Sequence, residues 1–512
     1  MSSQKIINQP KLKYNIIANY LGQGWVSLVG LMFIPVYIKY LGIEAYGLIG
    51  FFTLLQTCLT LLNIGLTPTL GREMARFIGG EHTAQSIRDL LRSVEILGLG
   101  VAFLIVSVFF LGADRMANSW LNTETLSTDT VEKAFGIMGV VIVLRFFEGI
   151  YRSTIVGLQR QVLFNLINSG MATLRGVGSV VTLVWISPTI LAFFVWQGLS
   201  SLITLVALTV TVYWSLPKSE RRGRFSINEI RGVWRFAGGM TVIILLATLL
   251  TQVDKIVLSK LLSLREFGYY SLAATVAAAL YILVSSVTQA FYPRLCEFHA
   301  RKDFISLTET YHSGAQLVSV IAGSAAIVLI LFSQTFLHLW TQDLKLASHV
   351  SPLLSLLVLG NLLNGLTWVP HQTQLAYGMT SLLIKINVFA VIFIVPAIFW
   401  VTPHFGAMGA AWVWVGLNVA YVFVAVHFMY RRVLSSEKWL WYRKDIFLPI
   451  ISATIPALAL KLVWPETKTF VDELILLVLA SCLTITAASF GANRVRTLML
   501  KTLGLFWTRF IR

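Results

Sequence analysis

Residues 14–40, YNIIANYLGQGWVSLVGLMFIPVYIKY, and 43–69, IEAYGLIGFFTLLQTCLTLLNIGLTPT, are two long, mostly apolar runs separated by two residues. A helix needs roughly 20 such residues to cross the hydrocarbon core of a bilayer. Runs of this kind recur to the end of the 512-residue chain. The remaining ones read as approximately 84–111, 132–157, 162–186, 189–215, 231–259, 266–293, 308–333, 349–376, 380–402, 406–430, 444–464 and 470–492. Hydrophobic residues make up 56% of the chain and charged ones 12%, and the mean hydropathy is +0.76. A water-soluble fold is excluded on those terms. The expected fold is an all-α polytopic membrane protein of about 14 transmembrane helices. Lys5, Lys11 and Lys13 precede the first run, which is too long for the core of a signal peptide and ends in no small-residue cleavage site. It reads as a retained first span.

The net charge of +17 invites a nucleic-acid reading, but its distribution speaks for topology. With loops assigned alternately from an inside N-terminus, 29 of the 40 Lys and Arg fall on the cytoplasmic side and 7 on the other. Four more lie within spans. Such a bias orients the array with both termini cytoplasmic. The basic residues are spread over eight short segments, so no nucleic-acid partner is expected.

The longest cytoplasmic loop inside the array, LPKSERRGRFSINEIRGVWRF (216–236), follows span 6. Ser226 and Glu229 have capping-box spacing, which predicts a helix leading into span 7. The segments on either side resemble each other. KYLGIEAYGLIGF (39–51) and KLLSLREFGYYSL (260–272) share Lys, Leu and Gly in register at a shift of 221 residues. The same shift carries Gly157 onto Gly378. Six spans per half implies a parallel repeat about an axis along the membrane normal. The expected organisation is two pseudo-symmetric six-helix lobes plus two C-terminal helices: an N-lobe at 1–215, a cytoplasmic linker at 216–230, a C-lobe at 231–433, spans 13 and 14 at 434–492, and an amphipathic cytoplasmic tail at 493–512.

No G-x-x-x-x-G-K-[ST], H-E-x-x-H or G-x-S-x-G motif occurs. Neither a catalytic constellation nor a metal site or cofactor is expected. Cys58, Cys296 and Cys482 sit in apolar runs and read as small buried residues. Charges inside spans carry the functional signal. These are Arg145 and Glu148 in span 4, Arg175 in span 5, Asp254 and Lys255 in span 7, and Lys385 in span 11. On insertion scales each central charge costs roughly 2.5–3.5 kcal/mol, so these residues must face protein or water. Arg145 and Glu148, at i and i+3, have the spacing to pair along one helix face. Asp254 and Lys255 are adjacent and point about 100° apart, so Asp254 is expected to answer a cation on another helix. Four cations less two carboxylates leave a residual +2, suited to an anionic head group. The competing reading makes them structural ion pairs, with Lys385 reaching the cytoplasmic surface.

Pro35, Pro68, Pro352, Pro370, Pro396, Pro449 and Pro456 interrupt spans and predict kinks. Trp185, Trp214, Trp340, Trp400, Trp439, Trp441 and Trp464 lie near span ends, as an interfacial belt would place them.

IPVYIKYLGIEAYGLIGF, LLNIGLTPTLGREMARF and QVDKIVLSKLLSLREFGYYSLA resemble the starts of the two halves of bacterial polysaccharide exporters, and GAMGAAWVWVGLNV (406–419) fits the same style. These exporters are lipid-linked oligosaccharide flippases of the O-antigen (Wzx) type, within the multidrug/oligosaccharidyl-lipid/polysaccharide (MOP) exporter superfamily. The resemblance implies a non-enzymatic flippase in the bacterial inner membrane. An undecaprenyl-diphosphate-linked oligosaccharide would enter a cationic cavity from the cytoplasm while its tail stayed in lipid. Arg145, Arg175, Lys255 and Lys385 would bind the anionic head group. Glu148 or Asp254 would serve ion pairing or coupling to H+ or Na+. Further partners implied are membrane lipids and the polysaccharide polymerase and chain-length machinery. Two alternatives remain open: an ion-coupled multidrug antiporter of the same superfamily, and an integral-membrane enzyme of polysaccharide assembly.

Overall fold

The computed structural model describes residues 12–59, 61, 65–217, 219, 221–464, 469–497 and 499–500. Among them there is no strand, only one isolated bridge between Asn122 and Ser263. Packing divides the chain into two compact units, Met1–Gly268 and Tyr269–Arg512.

The first unit holds α1 (Leu12–Met32), α2 (Ile34–Leu41), α3 (Ile43–Leu59), α4 (Leu66–Ile78), α5 (Ala84–Arg115), α6 (Thr128–Gly157), α7 (Gln161–Val181), α8 (Ile190–Ser215) and α9 (Ile227–Leu261). It also holds the start of α10 (Leu264–Ala278). The second unit continues with α11 (Leu280–Ala300), α12 (Phe304–Leu331), α13 (Ser333–Thr341), α14 (Leu344–Leu366), α15 (Trp368–Ala376) and α16 (Thr380–Ala420). The short helices α17 (Val426–Tyr430) and α18 (Lys438–Leu440) follow, then α19 (Leu448–Val463) and α20 (Phe470–Gly491).

Each of the fourteen expected runs contains helix among the described residues, the second being split between α3 and α4, with residues 60 and 62–64 outside the described residues. Eleven stretches among the described residues are long and apolar enough to cross a membrane. One of them, Ser381–Tyr430, contains two spans joined at Gly406, whose φ of 57° is not helical. The second run is the shorter apolar helix Ile43–Leu59, and the seventh lies within the 35-residue α9. The protein is therefore a multi-pass membrane protein. Its outer surface is what lipid requires, with large apolar side chains such as Phe103, Leu111 and Leu462 exposed.

Pro68 sits in the first turn of α4, after the left-handed Gly65, where the missing N–H would have had no partner in any case. Pro35 and Pro370 follow one-residue breaks at Phe33 and Thr367 inside the apolar stretches Asn19–Leu41 and Leu344–Ala376. Pro449 lies inside a helical stretch that continues from Lys438 to Val463. Pro352, Pro396 and Pro456 are within α14, α16 and α19. Gly65, at φ 60°, caps the start of α4, and a Cβ there would fall 2.1 Å from the Ala237 carbonyl oxygen of α9.

The motif repeated at a 221-residue shift meets its own copy. A Cβ on Gly47 would fall 2.1 Å from the Leu264 carbonyl oxygen, and one on Gly268 would fall 2.3 Å from that of Ile43. Ile43 and Leu264 are themselves 221 apart, as are Gly47 and Gly268. Each glycine thus admits the backbone of the other helix, a self-complementary contact of the kind a two-fold axis generates. The neighbouring turn is pinned by Glu44, buried, which accepts the backbone N–H groups of Glu124 at 2.7 Å and Thr125 at 2.8 Å. Asn122 bonds the Lys260 carbonyl at 3.1 Å and accepts the Leu264 N–H at 2.7 Å.

In the second unit, α19 and α20 pack on each other and on α12. Lipid offers no hydrophobic drive between helices, so such contacts rest on close approach of small residues. Ala453, Ala457, Ala480, Ala488 and Ala492 are fully buried there. Polar anchors join them. His338 Nδ1 lies 2.7 Å from Glu473 of α20, and buried His312 contacts Asp445.

Some local expectations change. Ser226 caps α9 by accepting the Glu229 N–H at 3.5 Å, but Glu229 turns to the Ser86 hydroxyl at 2.9 Å. The box closes on one side only, because Ser93 takes the Ser226 N–H. Trp441 belongs to no interfacial belt; it is fully buried, whereas Trp185, Trp214, Trp400 and Trp439 are exposed. Cys482 is exposed on α20, not buried, and Cys58 and Cys296 are half-buried. The amphipathic tail was expected at 493–512; residues 493–497 are helical, and 501–512 lie outside the described residues. The packing boundary after Gly268 falls one helix beyond the 216–230 linker, since α9 packs against α3, α4 and α5.

Candidate functional site

The first unit brings Arg145, Glu148 and Arg175 together. Arg145 and Glu148 project from α6 and Arg175 from α7. Arg145 does not pair with Glu148, as the i, i+3 spacing suggested. Each of its three guanidinium nitrogens is taken by a neutral side chain. Nη1 donates to Gln56 Oε1 at 2.5 Å, Nη2 to Gln197 Oε1 at 2.8 Å, and Nε to Ser201 Oγ at 3.4 Å. Its guanidinium also lies 5.0 Å from the centre of the Phe52 ring, a cation–π contact. Gln197 is itself fixed, because its amide donates to Ser179 at 3.2 Å, and Ser179 donates to the Arg175 carbonyl at 2.8 Å.

Glu148 turns across to α7. Its Oε1 stands 3.6 Å from Arg175 Nη2, an ion pair beyond hydrogen-bond range. Glu148 Oε1 and Arg175 Nε are both buried atoms with no hydrogen-bond partner among the described residues. The two side chains keep 16% and 27% of their surface exposed, so the pair is recessed without being sealed. The cluster carries two guanidinium charges against one carboxylate.

Asp254 and Lys255 do share a face. Lys255 Nζ lies 3.6 Å from Asp254 Oδ2 and donates to the Thr251 carbonyl at 3.0 Å. The lysine stem bends back along α9, which the 100° rule for adjacent Cβ directions does not forbid. Lys385, on α16 in the second unit, is exposed. The six residues thus form one cluster of three, one pair and one separate lysine.

Sequence reasoning missed the amides. Gln56 and Gln197 are neutral residues on other helices, 89 and 52 positions from Arg145, and nothing local marks them. It also missed an uncharged counterpart in the second unit. Asn361 Oδ1 accepts Tyr281 Oη at 3.0 Å and Trp414 Nε1 at 2.9 Å. Asn364 donates to Asn418 at 2.8 Å and accepts Trp368 Nε1 at 3.1 Å. The rings of Tyr281 and Trp368 stack at 5.6 Å. Asn418 lies 221 residues after Gln197, so the repeat places an amide that holds a neighbouring span at the same position in each half.

Residues 12–299 match the family described as "Polysaccharide biosynthesis protein", more than half of the chain. The chain belongs to that family. Residues 240–400 also match the family MatE. A relative, the "Putative O-antigen transporter" of Shigella flexneri, is 20% identical over 425 residues, covering 82% of this chain and 98% of its own. Among solved structures, the lipid II flippase MurJ in an inward closed conformation superposes with a TM-score of 0.69 at 15% identity, covering 98% of this chain and 100% of that one. An inward-facing MATE-family multidrug resistance transporter of the MOP superfamily gives 0.65 at 14% identity, with coverage of 83% and 96%. The fold is accordingly that of MOP-superfamily transporters, as the sequence resemblance implied.

Proposed function

We propose that this protein is a flippase of the bacterial inner membrane. It translocates an undecaprenyl-diphosphate-linked oligosaccharide, an O-antigen or related repeat unit, by alternating access, with both termini cytoplasmic. The observation that carries this reading is the net-cationic Arg145–Glu148–Arg175 cluster inside a unit of this family and fold. A diphosphate offers several charged acceptor oxygens, and guanidinium groups in a recessed site are matched to them. The uncharged Asn361–Asn364–Asn418 cluster, with the stacked Tyr281 and Trp368, suits neutral sugar hydroxyls. The reciprocal glycine contact of the repeated motifs supplies a surface on which access from one side could be closed. The Shigella relative and the polysaccharide biosynthesis family favour the glycan substrate. The MatE match favours a multidrug antiporter instead, but a cluster with two arginines against one glutamate is poorly matched to cationic drugs.

The test is transport in proteoliposomes holding a fluorescent undecaprenyl-diphosphate glycan. The wild-type protein should render the inner-leaflet pool accessible to an external glycosidase. Protein that leaves the pool inaccessible yet extrudes a cationic dye would instead be a multidrug antiporter.

A further inference from the structure

The segment between α8 and α9 is strapped to the first three turns of α5. Arg88 Nε donates to the Pro217 carbonyl at 2.8 Å, and the Ser219 hydroxyl donates to Gln85 Oε1 at 2.6 Å. The Arg224 N–H donates to Asp89 at 2.7 Å and the Ser226 N–H to Ser93 Oγ at 2.8 Å. The Ser86 hydroxyl donates to Glu229 at 2.9 Å. A Cβ on Gly223 would fall 2.6 Å from the Arg88 carbonyl oxygen, so the strap lies directly on the α5 backbone there.

These bonds engage the carboxylates of Asp89 and Glu229 and leave the cations outside. Arg221, Arg222, Arg224 and Arg231 are exposed, and no ion pair holds any of their guanidinium groups among the described residues. Large apolar side chains are interleaved with them: Phe225, Ile227 and Trp234 are 47%, 50% and 62% exposed. Ile227, Arg231 and Trp234 follow at i, i+4 and i+7 and so share one face of α9. Its other face is packed, with Ile230 and Val233 set against Leu70, Ile87 and Leu90 and with Ala237 buried. A face turned to water is normally polar; one that mixes arginine with tryptophan and isoleucine has the composition of an interfacial surface.

We propose that the strap and the first turns of α9 dock on anionic phospholipid headgroups of their own leaflet, the cytoplasmic one in the orientation given under the proposed function. The depth fits. The 35 residues of α9 extend about 52 Å, more than the roughly 40–45 Å of a bilayer with its headgroups. Trp234 stands 27 residues from Leu261 at the far end, about 40 Å away, where the headgroup layer holds aromatic side chains. The excess of positive charge on one side accounts for the arginines as a topology signal. It does not account for the bonds that fix their backbone, or for the bulky apolar residues set among them. The inference rests on the membrane location and the orientation, and is independent of the substrate.

The experiment uses the full-length protein in phosphatidylcholine proteoliposomes containing bromine-labelled phosphatidylglycerol or bromine-labelled phosphatidylcholine. The difference in fluorescence between wild type and Trp234→Phe isolates Trp234 among the 15 tryptophans. Its emission should be quenched several-fold more efficiently by the brominated phosphatidylglycerol, and high salt should remove the preference. Arg221→Gln, Arg222→Gln, Arg224→Gln and Arg231→Gln should each weaken the preference by up to about fivefold, the equivalent of roughly 1 kcal/mol. Lysine at the same four positions should retain it, because a lipid surface reads charge rather than the planar fork. Equal quenching of wild-type Trp234 by the two lipids, or quenching by neither, would overturn the docking. So would displacement of the phosphatidylglycerol by an equimolar amount of undecaprenyl diphosphate, which would assign the strap to the substrate instead. A failed preference leaves the flippase reading intact, since transport of the glycan is measured separately.

Discussion

At the residue scale, the intramembrane charges are resolved by unlike partners. Arg145 is a structural cation whose hydrogen bonds reach three other side chains on two helices. Replacing Gln197 by Leu leaves part of that guanidinium unsatisfied, a loss of about 1–3 kcal/mol. The expected readout is a lower midpoint of thermal unfolding in detergent, and an unchanged midpoint would show that Arg145 does not depend on this amide. Arg175 behaves oppositely. Arg175→Ala should abolish glycan export while inserting normally, and Arg175→Lys should restore it in part, since lysine supplies the charge without the planar fork. Surface polysaccharide staining at native expression separates these outcomes. The charged positions themselves were legible in the sequence, because a charge within an apolar run is conspicuous. Their partners were not, since Gln56 and Gln197 are neutral, distant in sequence and brought near only by tertiary packing. Asp254 and Lys255 show the limit of helical-wheel reasoning: a long lysine stem can bend across the angle separating adjacent Cβ atoms.

At the element scale, the number and placement of spans followed from the apolar runs, which the structure places in helices. What the runs could not reveal was where spans break internally. Prolines mark some of those places: Pro35 and Pro370 follow the breaks at Phe33 and Thr367, and Pro68 begins α4. The weak 221-residue repeat acquires physical content at Gly47 and Gly268. Substituting valine at either glycine would drive side-chain atoms into the facing backbone. Overpacking costs about 1–3 kcal/mol, and each 1–2 kcal/mol shifts a two-state population by a factor of roughly 5–30. Gly47→Val and Gly268→Val should therefore give similar losses of the closed contact. A short bifunctional crosslinker between cysteines at Glu124 and Arg265, which form an ion pair at 3.2 Å, should report the loss. Strongly unequal effects would argue against the pseudo-symmetric contact.

At the scale of the whole molecule, the second unit carries two helices that the repeat does not require. They are fastened through alanine-lined faces and through His338–Glu473 and His312–Asp445. Ala480→Leu, at a fully buried position of α20, should destabilise that attachment by about 1–3 kcal/mol, seen as increased protease sensitivity of the 434–492 region. The wider claim is that this bundle moves a diphosphate-linked glycan across the membrane. The most direct measurement is deletion of the gene in the source cell, followed by complementation with wild type or Arg175→Ala. The account predicts that deletion traps lipid-linked glycan on the cytoplasmic face, that wild type clears it, and that Arg175→Ala does not. A deletion strain with unchanged glycan distribution and new sensitivity to cationic drugs would contradict it.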